Sequence, residues 1–340
     1  MAPERSSPLD AQVHFSVLFC AVGLSLSLVR FTSSPVSAII FDQSPSSGLG
    51  ASVLLDSSPS GAAVEERMLA SIELAPADFP RAFSRSFTAA RAHLLCGGRR
   101  VRARLALQAA SALGLSAADA IALAASVELL HNASLIHDDL QDREAERRGV
   151  AAVWAAYGED VAICAGDLLI SAAYGVLASF SKPPLLPSLL SLVHQRTSDV
   201  IHGQCSDLAT RGSQGVDFAT YRQIVVAKSG ALLSLPLELA FIAAGESEGV
   251  SQARQAAADF AIGYQIVDDI NDVERDAHAS PPCLNALLLL RASSSAEVAQ
   301  RQARELALHH LRLAATTAAG LPRGSGRQLQ EFASQLAQLL

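Results

Sequence analysis

Residues 126–148 read SVELLHNASLIHDDLQDREAERR, and the rest of the chain makes most sense as support for this stretch. An apolar run rich in Ala and Leu ends in Asp138, Asp139 and Asp142. If the run is helical, the spacing i, i+1 and i+4 places the three carboxylates on one face, where they repel each other unless a cation lies between them. Mg²⁺ is the hard cation that such oxygens usually bind, often together with substrate phosphates. For a single group of this kind, a solvated acidic helix end would be the favoured interpretation.

A second copy of the acidic group overturns that interpretation. Residues 263–272 read GYQIVDDIND, so Asp268, Asp269 and Asp272 repeat the spacing at the end of another apolar, helix-like run. Two such groups in one chain predict two sets of carboxylates that share the binding of metal ions.

The composition predicts an all-α protein built as a single domain. Half of the 340 residues are hydrophobic and 17% are charged, so a large core is possible, while aromatic residues make up only 5%. Ala and Leu dominate instead, which favours closely packed helices over sheets. No strand-like alternation and no further internal repeat compete with this interpretation. The net charge of −7 argues against nucleic acid as the main partner.

Helical periodicity and breaker residues predict the elements of a domain that covers residues 63–340. The predicted helices are 63–74, 78–95, 100–113, 117–138, 158–181, 186–208, 217–229, 230–244, 250–272, 283–317 (with a possible break) and 326–339. The predicted loops are 97–98, 144–149, 182–184, 211–215, 245–249, 280–282 and 320–326.

Residues 1–62 differ from everything that follows and are predicted to form a leader outside the domain. They are rich in Ser and Pro, and an apolar run extends from Val13 to Val29. A secretory signal lacks its positive start here, because Glu4 and Asp10 offset Arg5. A disordered or over-extended leader is the preferred interpretation, ahead of a targeting segment and a membrane anchor.

The five cysteines are widely spaced and include no C-x-x-C pair. This spacing supports neither a zinc site nor a disulfide framework. We therefore predict reduced thiols, mostly as small core residues, in a cytoplasmic protein.

Arginines form a second kind of cluster. Residues 97–104 read GGRRVRAR, which places four arginines after a flexible Gly pair at the start of a predicted helix. Guanidinium groups bind phosphate oxygens bidentately, and a helix N-terminus adds backbone donors. Arg147 and Arg148 form a further pair just after the first acidic group. Each cluster alone could be a solvated basic patch, but acidic and basic clusters in alternation predict a polyanion such as diphosphate, held partly through metal ions and partly directly.

Other polar residues give weaker signals. Lys228 is one of only two lysines and could mark a helix end or break, although a lone lysine is usually exposed to solvent. His131 lies two helical turns before Asp138, where a core histidine is the ordinary interpretation. Gln204 and Asp207 interrupt an apolar helix and prove little alone. The sequence contains no motif for a nucleophilic serine, a nucleotide phosphate loop or a zinc protease.

With these residues assembled, the sequence from about Val64 to the end resembles the trans-isoprenyl diphosphate synthase (polyprenyl synthetase) family. Five segments match in order and spacing, and together they are specific. They are GGRRVRA (97–103), HNASLIHDDLQDREAERRG (131–149), AICAGDLLISAA (162–173) with HGQCSDLA (202–209), KSG (228–230) and GYQIVDDIND (263–272). The resemblance implies a helical bundle around a deep apolar cavity, a homodimer, and Mg²⁺ with diphosphates at the cavity mouth.

The resemblance also implies roles for individual residues. The metal ligands, for three Mg²⁺ ions per active site, would be Asp138, Asp139, Asp142, Asp268, Asp269 and Asp272. The allylic diphosphate would be bound by Arg147 and Lys228, and isopentenyl diphosphate by Arg99, Arg102, His131 and Arg148. The residues nearest the developing carbocation would be Ser229 and Gln265, which with Lys228 make up the implied catalytic set.

The implied reaction joins isopentenyl diphosphate to an allylic diphosphate, with trans geometry, to give a polyprenyl diphosphate of C20 or longer. Metal ions and basic residues neutralise the leaving diphosphate, and a dry cavity keeps water away from the cation. Product length in this family depends on how far the growing chain can extend down the cavity. Ala133 and Ser134, just before the first acidic group, are small, and the candidate floor residues are Leu130, Val127 and Ser126.

Three positions depart from the family pattern. Arg99 replaces the usual lysine and Ala103 the usual proline, with little expected effect. No lysine follows Asp272, where the family supplies one in a loop over the allylic diphosphate, and residues 273–283 look shortened. Arg275 is the candidate substitute, and weaker allylic binding or altered substrate use is the expected consequence.

Two alternative functions are compatible with the sequence. A protein of the same fold could transfer prenyl groups to another acceptor or cyclise them, although Arg99, Arg102 and Arg148 argue against an acceptor without phosphate. A non-catalytic subunit of a heteromeric synthase is the other alternative, and two intact acidic groups argue against it. In each case we expect a cytoplasmic catalytic domain without stable membrane insertion.

Overall fold

Helices make up most of the computed structural model, which describes residues 59–73, 85–213 and 215–340. In chain order the helices are α1 (Pro59–Ile72), α2 (Arg85–Leu95), α3 (Val101–Ala112), α4 (Ala117–Gln141), α5 (Val153–Tyr157), α6 (Glu159–Gly175), α7 (Leu186–Thr210), α8 (Phe218–Val225), α9 (Ala231–Ala244), α10 (Glu248–His278), α11 (Ala286–Arg291), α12 (Ala296–Ala319) and α13 (Arg327–Ala337). The described residues belong to one compact unit. The predicted all-α fold is therefore confirmed.

The long helix α4 carries the first acidic group, and side chains cap its start. Ser116 Oγ accepts a hydrogen bond from the Asp119 backbone N–H at 3.1 Å, and the Asp119 carboxylate accepts one from the Ser181 N–H at 2.8 Å. The helix runs to Gln141, past the predicted end at 138, and Asp142 is its C-terminal capping residue. The acidic group thus occupies the last turn, where α4 leaves the core.

Helix α9 occupies the middle of the bundle. Nearly all of its side chains are buried, as expected for a helix that is apolar on every face. Leu233 and Leu237 belong to one core with residues of α10 and α12. Leu232 and Leu239 belong to another core with residues of α4 and α6. α9 therefore joins the part of the bundle that carries the first acidic group to the part that carries the second.

Between α8 and α9 the chain widens into a π-helical turn, Val226–Gly230, which contains Lys228. The helix break considered at this lysine is present. Gly203 of α7 lies so close to the turn that a Cβ atom there would be 2.5 Å from the Lys228 backbone nitrogen. Glycine is required at this position because any side chain would separate α7 from the turn.

A short hairpin follows the first acidic group, in a segment that was predicted to be a loop. Strand β1 (Glu146–Arg147) pairs antiparallel with β2 (Val150–Ala151). Arg148 and Gly149 form the turn with φ of 55° and 76°, the positive values that a type I′ turn requires. The usual Asn-Gly signal is absent, so periodicity alone did not indicate the hairpin. Its geometry sets the directions of Arg147 and Arg148.

Several element boundaries differ from the prediction. α1 begins at Pro59 rather than 63, α10 continues to His278 rather than 272, and the short α5 was not predicted. The possible break within 283–317 is confirmed, since α11 and α12 are separate helices. The predicted leader falls largely on residues 1–58, which lie outside the described residues, as does the start of the second predicted helix. The domain boundary at residue 62 stays a prediction.

The described cysteines are free thiols, but their predicted core positions are wrong. Cys96, Cys164 and Cys205 are exposed, and Cys283 is half-buried. The close helix contacts are filled by Ala and Leu instead, as in the fully buried Ala165 and Leu169 of α6. Small size alone does not tell which face of a helix a cysteine occupies.

In the described part of the chain, three helical stretches are long and apolar enough to cross a membrane by length and composition, namely Ala117–Gln141, Glu159–Ser179 and Phe218–Ala244. In the first and third, 72% and 78% of the most apolar window is buried within the bundle. In the second, only 44% is buried. Exposed apolar surface is thus a feature of α6.

Candidate active site

A cavity of about 220 Å³ opens beside the first acidic group. Its lining residues come from α4, α6, α7 and α9 and are mostly apolar. They are Leu130, Ala133, Ser134, His137, Asp138, Gln141, Ile170, Thr197, Val200, Ile201, Gln204, Cys205 and Leu232. At the polar end, Gln204 Nε2 donates to Gln141 Oε1 at 2.8 Å. From Asp138 the wall continues along α4 through the predicted chain-length positions.

The predicted chain-length residues Ala133, Ser134 and Leu130 therefore all line the cavity. Val127 and Ser126, the other predicted floor residues, do not line it. Both are fully buried, and the Ser126 hydroxyl donates to the Ala173 carbonyl of α6 at 2.8 Å. The cavity wall on α4 begins at Leu130, because α4 and α6 are in direct contact further down.

The first acidic group is divided between the cavity mouth and the core. Asp138 lines the mouth, and burial raises its pKa to about 6, against the lowering effect of Lys228 and with a further rise from Asp142. Asp139 is only 1% exposed, and Arg147 Nε donates to both of its carboxylate oxygens at 2.7 and 2.8 Å. The Asp139 oxygens thus anchor the hairpin to α4, and the predicted metal role of Asp139 stays a prediction.

Asp142 lies at the rim and pairs with an arginine that was not predicted in the site. Arg211, at the end of α7, donates from Nη2 to Asp142 Oδ1 at 2.7 Å, and the same nitrogen lies 3.6 Å from Asp207 Oδ2. Burial alone would lower the pKa of Arg211, but the hydrogen bond to Asp142 and the charges of Asp142 and Asp207 raise it. Arg211 is a cation within reach of the predicted metal ligands.

The second acidic group is divided in the same way. Burial, with the charges of Asp272 and Asp269, raises the pKa of Asp268 to about 7. Within the described part of the chain, Asp268 Oδ1 is buried and has no hydrogen-bond partner. Asp272 Oδ2 lies 2.8 Å from Arg275 Nη2. Among the described residues, Asp272 Oδ2 also lacks a hydrogen-bond partner, although it forms an ion pair with Arg275 of its own helix. Both aspartates thus present an unsatisfied acceptor.

Asp269 points inward, where protein donors occupy its carboxylate. It accepts hydrogen bonds from the Tyr221 hydroxyl at 2.7 Å, from Gln265 Nε2 at 3.0 Å and from the Ala286 N–H at 2.7 Å. These bonds join α8, α10 and α11, and the predicted metal role of Asp269 stays a prediction. The amide of Gln265 donates to Asp269, and its predicted place near the carbocation stays a prediction.

Lys228 is held at the mouth by Asp207, since its Nζ donates to Asp207 Oδ2 at 2.9 Å. Burial alone would lower the pKa of Lys228, but the charges of Asp138 and Asp207 raise it above its ordinary value. Lys228 is therefore charged and lies between the two carboxylates. Ser229 follows it in the π-helical turn and is half-buried.

A basic pocket lies next to the second acidic group. Arg102, in the first turn of α3, is buried, and burial lowers its pKa to about 10 despite the charge of Glu128. Burial and the charges of Arg102 and Arg147 hold the pKa of His131 well below its ordinary value, so this imidazole is neutral. Tyr264 lies close to both groups. Burial and the charges of Asp268 and Asp272 raise the pKa of its hydroxyl, and the charges of Arg102 and Arg99 oppose that rise.

Arg148 joins the two basic clusters predicted from the sequence. Its guanidinium donates to the Gly97 carbonyl and packs against Gly98, where a Cβ atom would lie 2.8 Å from Arg148 Nη2. Burial lowers the pKa of Arg148 to about 10. Gly98 is thus needed for the approach of the hairpin arginine to the start of α3. The structure brings Arg99, Arg102, His131 and Arg148 into one region.

Sequence reasoning missed several residues around these pockets. Asp207 and Arg211 complete the charged rim, and the only signals were a polar break in α7 and an arginine at its end. His93 of α2 is buried, and burial with the charges of Arg147 and Arg100 lowers its pKa to about 4. No motif marked His93 because its neighbours come from other helices.

The carboxylate oxygens of the two acidic groups suit Mg²⁺. Asp138 and Asp268 combine raised pKa values with partly buried oxygens, and one of those oxygens lacks a hydrogen-bond partner. Among the described residues, no three acidic, histidine or cysteine side chains form a metal site by themselves. Such an arrangement fits a cation that takes one or two carboxylates and completes its shell with substrate phosphates and water.

Residues 84–280 match the family model described as polyprenyl synthetase. The geranylgeranyl pyrophosphate synthase of Geoglobus acetivorans is 32% identical over 189 residues, which cover 55% of this chain and 59% of that protein. A (2E,6E)-farnesyl diphosphate synthase of Mycobacterium tuberculosis is 34% identical over 174 residues, or 51% and 48% of the two chains. The chain thus spans about half the length of the curated relatives that it matches.

Solved structures match over a larger share of the fold. The geranylgeranyl pyrophosphate synthetase of Geoglobus acetivorans has a TM-score of 0.70 and 24% identity, covering 81% of this chain and 97% of that chain. A decaprenyl diphosphate synthase from Rhodobacter capsulatus has a TM-score of 0.70 and 19% identity, covering 82% and 96%. At this identity, the likeness shows the fold.

Proposed function

The chain belongs to the polyprenyl synthetase family, and from this premise we propose that it is a trans-prenyl diphosphate synthase. Its substrates would be isopentenyl diphosphate and an allylic diphosphate. The observation that carries the proposal is an apolar cavity whose mouth bears Asp138, with Lys228 close to that carboxylate. The second acidic group and the basic residues Arg99 and Arg102 meet around Tyr264. A long apolar chain fits the cavity, and its charged end fits the mouth.

Mg²⁺ is the metal ion that we propose for this mouth. Asp138 and Asp142 would hold it on the first side, and Asp268 and Asp272 on the second. When bound, the metal supplies positive charge that stabilises the leaving diphosphate. The family expectation of three ions per active site belongs to the same proposal.

The chain's own cations divide between the two substrates. Lys228 lies close enough to Asp138 for that charge to raise its pKa, and it would bind the allylic diphosphate. Arg147, whose guanidinium is positioned by its hydrogen bonds to Asp139, would bind the same diphosphate. Isopentenyl diphosphate would enter the basic pocket, where Arg99, Arg102 and Arg148 supply charge and the neutral His131 supplies a hydrogen-bond donor. Two diphosphates held on opposite sides of one mouth place their carbon chains side by side.

The proposed reaction breaks the bond between the allylic carbon and its diphosphate oxygen. The isopentenyl double bond attacks the resulting cation, a new carbon–carbon bond forms, and the released proton passes to the departing diphosphate. Lys228 and the arginines oppose the charge that develops on the leaving group. The apolar wall from Ala133 to Leu130 keeps water from the cation.

We infer a product of C20 or longer from the same wall. Ala133 and Ser134 leave the path from Asp138 toward Leu130 open, because neither side chain is large enough to close it.

The enzyme is proposed to be cytoplasmic.

A homodimer is the proposed assembly. α6 exposes Ile163, which is 48% exposed, and α7 exposes Ile201, which is 53% exposed. Ile201 also lines the cavity, together with Ile170 of α6. An exposed apolar face of this kind is typical of a subunit interface.

The function is tested by incubating the full chain with isopentenyl diphosphate, Mg²⁺ and dimethylallyl, geranyl or farnesyl diphosphate in separate reactions. The dephosphorylated products are then sized by chromatography. We expect products of C20 or longer with at least one primer. Absence of product with every primer would favour a non-catalytic subunit or a prenyltransferase with another acceptor.

A further inference from the structure

Arg211 has contacts that the proposed reaction does not explain. Its side chain is 18% exposed and lies at the rim, with Nη2 2.7 Å from Asp142 Oδ1 and 3.6 Å from Asp207 Oδ2. Asp142 belongs to the first acidic group, and Asp207 holds Lys228. One guanidinium therefore contacts both Asp142 and Asp207, and Asp207 is also the partner of Lys228.

The backbone next to Arg211 is fixed rather than free. The N–H of Gly212, which has a φ of +69°, donates to the Pro282 carbonyl at 3.1 Å. A Cβ atom on Gly212 would lie 2.9 Å from Pro281, so the two segments are in close contact. The end of α7 is thus tied to the segment that follows α10.

That segment is in turn tied to α10. The Cys283 N–H donates to the Asp276 carbonyl at 3.2 Å, and Asn285 Nδ2 donates to the Asp269 carbonyl and to Asp276 Oδ2, both at 2.8 Å. The short connection between α10 and α11 is therefore hydrogen-bonded both to α10 and to the backbone next to Arg211. This is the place where the sequence lacks the lysine expected after Asp272.

A metal ion that binds Asp142 Oδ1 competes with the Arg211 guanidinium for that oxygen. Both are cations that need the same oxygen at short distance, and their mutual repulsion adds to the competition. Once it leaves Asp142, Arg211 stays at the rim because its backbone is held there. A planar guanidinium in that position is suited to phosphate oxygens.

On the basis of the proposed function, we propose that Arg211 is an exchangeable cation of the active site. It neutralises Asp142 and Asp207 in the free enzyme, gives up Asp142 to the divalent metal ion, and then binds the diphosphate of the allylic substrate. Arg211 would thus do from α7 what a lysine after Asp272 would otherwise do.

The first test measures metal binding in the substrate-free protein, with Mn²⁺ as the probe and electron paramagnetic resonance as the readout of free ion. Arg211→Gln should bind Mn²⁺ about tenfold more tightly than wild type, since a charge-assisted hydrogen bond no longer competes. Arg143→Gln is the matched control, because it removes the same charge beside Asp142 from a guanidinium that pairs with Glu159. Equal Mn²⁺ affinity in the two variants overturns the proposal.

The second test measures binding of inorganic pyrophosphate in the presence of Mg²⁺ by calorimetry. Arg211→Gln should weaken this binding about tenfold, and Arg211→Lys should lie between that variant and wild type. Unchanged pyrophosphate affinity in Arg211→Gln overturns the proposal while leaving the synthase function intact. If wild type itself binds neither Mn²⁺ nor pyrophosphate, both the proposal and the proposed function are wrong.

Discussion

At the scale of single residues, each acidic group divides its aspartates between two tasks. Asp138 lines the cavity mouth and Asp268 keeps an oxygen without a hydrogen-bond partner among the described residues, whereas Asp139 and Asp269 accept hydrogen bonds from protein donors in the core. Periodicity could place three carboxylates on one helix face, but the inward partners come from other elements. Asp139 is the aspartate that accepts hydrogen bonds from Arg147 of the hairpin, and the local sequence of α4 does not predict this contact.

The chain-length positions give a prediction about one side chain. Ala133→Phe or Ser134→Phe should shorten the product by at least one isoprene unit, because the larger ring would close the cavity wall above Leu130. Products are sized by chromatography after dephosphorylation. Ala178→Phe, at an exposed position beyond α6, is the control and should leave product length unchanged. Wild-type product length in both cavity variants would refute the assignment of this wall.

At the scale of elements, the contact between α7 and the π-helical turn sets the position of Lys228. Gly203→Ala places a Cβ 2.5 Å from the Lys228 backbone nitrogen, so the turn must shift away from α7. We expect turnover to fall by about a hundredfold, since a displacement of about 1 Å has that effect on a positioned catalytic group.

The matched control for this substitution is Gly175→Ala at the end of α6. A Cβ atom there meets nothing within 4 Å, so turnover and melting temperature should stay close to wild type. Steady-state kinetics and thermal unfolding of the two variants provide the comparison. If Gly203→Ala behaves like Gly175→Ala, the π-helical turn does not depend on the close backbone contact.

The start of α4 gives a prediction about stability. Asp119→Ala removes acceptors of hydrogen bonds from Ser181 and Ser116 and should lower the free energy of unfolding by about 1–3 kcal/mol at pH 7. Asp160→Ala, at an exposed first-turn position of α6, should have a much smaller effect. Denaturant unfolding measures both. Equal losses would mean that the Asp119 contacts add nothing specific.

The pH dependence of that difference has a defined sign. Burial alone would raise the pKa of Asp119, but hydrogen bonds from Ser181 and Ser116 lower it below the ordinary value of 3.8. The stability from a carboxylate with a lowered folded pKa is present above the unfolded pKa and is lost as pH falls through the folded one. The difference in free energy of unfolding between wild type and Asp119→Ala should therefore disappear as the pH falls below 3.8 and remain constant near neutral pH.

The elements themselves were largely predictable because α-helical periodicity is strong in an Ala- and Leu-rich chain. The ends of α4 and α7 fall within three residues of the predicted positions. The hairpin at Glu146–Ala151 was not predictable, since its turn uses an arginine at positive φ. The inward core positions predicted for the cysteines were also wrong, because residue size does not specify a helix face.

At the scale of the whole molecule, α9 brings the two parts of the site together. It packs on one side with the helices around α4 and on the other with those around α10, so it links the two helices that carry the acidic groups. The resemblance of five segments predicted this arrangement, and the family match confirms the membership. The charged rim with Asp207 and Arg211 depends on contacts between distant segments, which sequence spacing alone does not contain.

The proposed homodimer is also a property of the whole molecule. Light scattering after size-exclusion chromatography should give twice the chain mass of 35.5 kDa. Ile163→Asp combined with Ile201→Asp should give the monomer mass, because two charges on the exposed apolar face oppose its burial. A monomeric wild type, or a dimeric double variant, would show that this face is not the interface.

The central claim is that carboxylates from both acidic groups act together in prenyl transfer. Its most direct test is the rate of incorporation of labelled isopentenyl diphosphate by wild type, Asp138→Asn, Asp268→Asn and the exposed control Asp160→Asn. We predict Mg²⁺-dependent product in wild type and in Asp160→Asn, and a loss of about a hundredfold or more in each site variant, since metal-borne charge stabilisation supplies several kcal/mol. Full activity in Asp268→Asn, or no product from wild type, would contradict the claim.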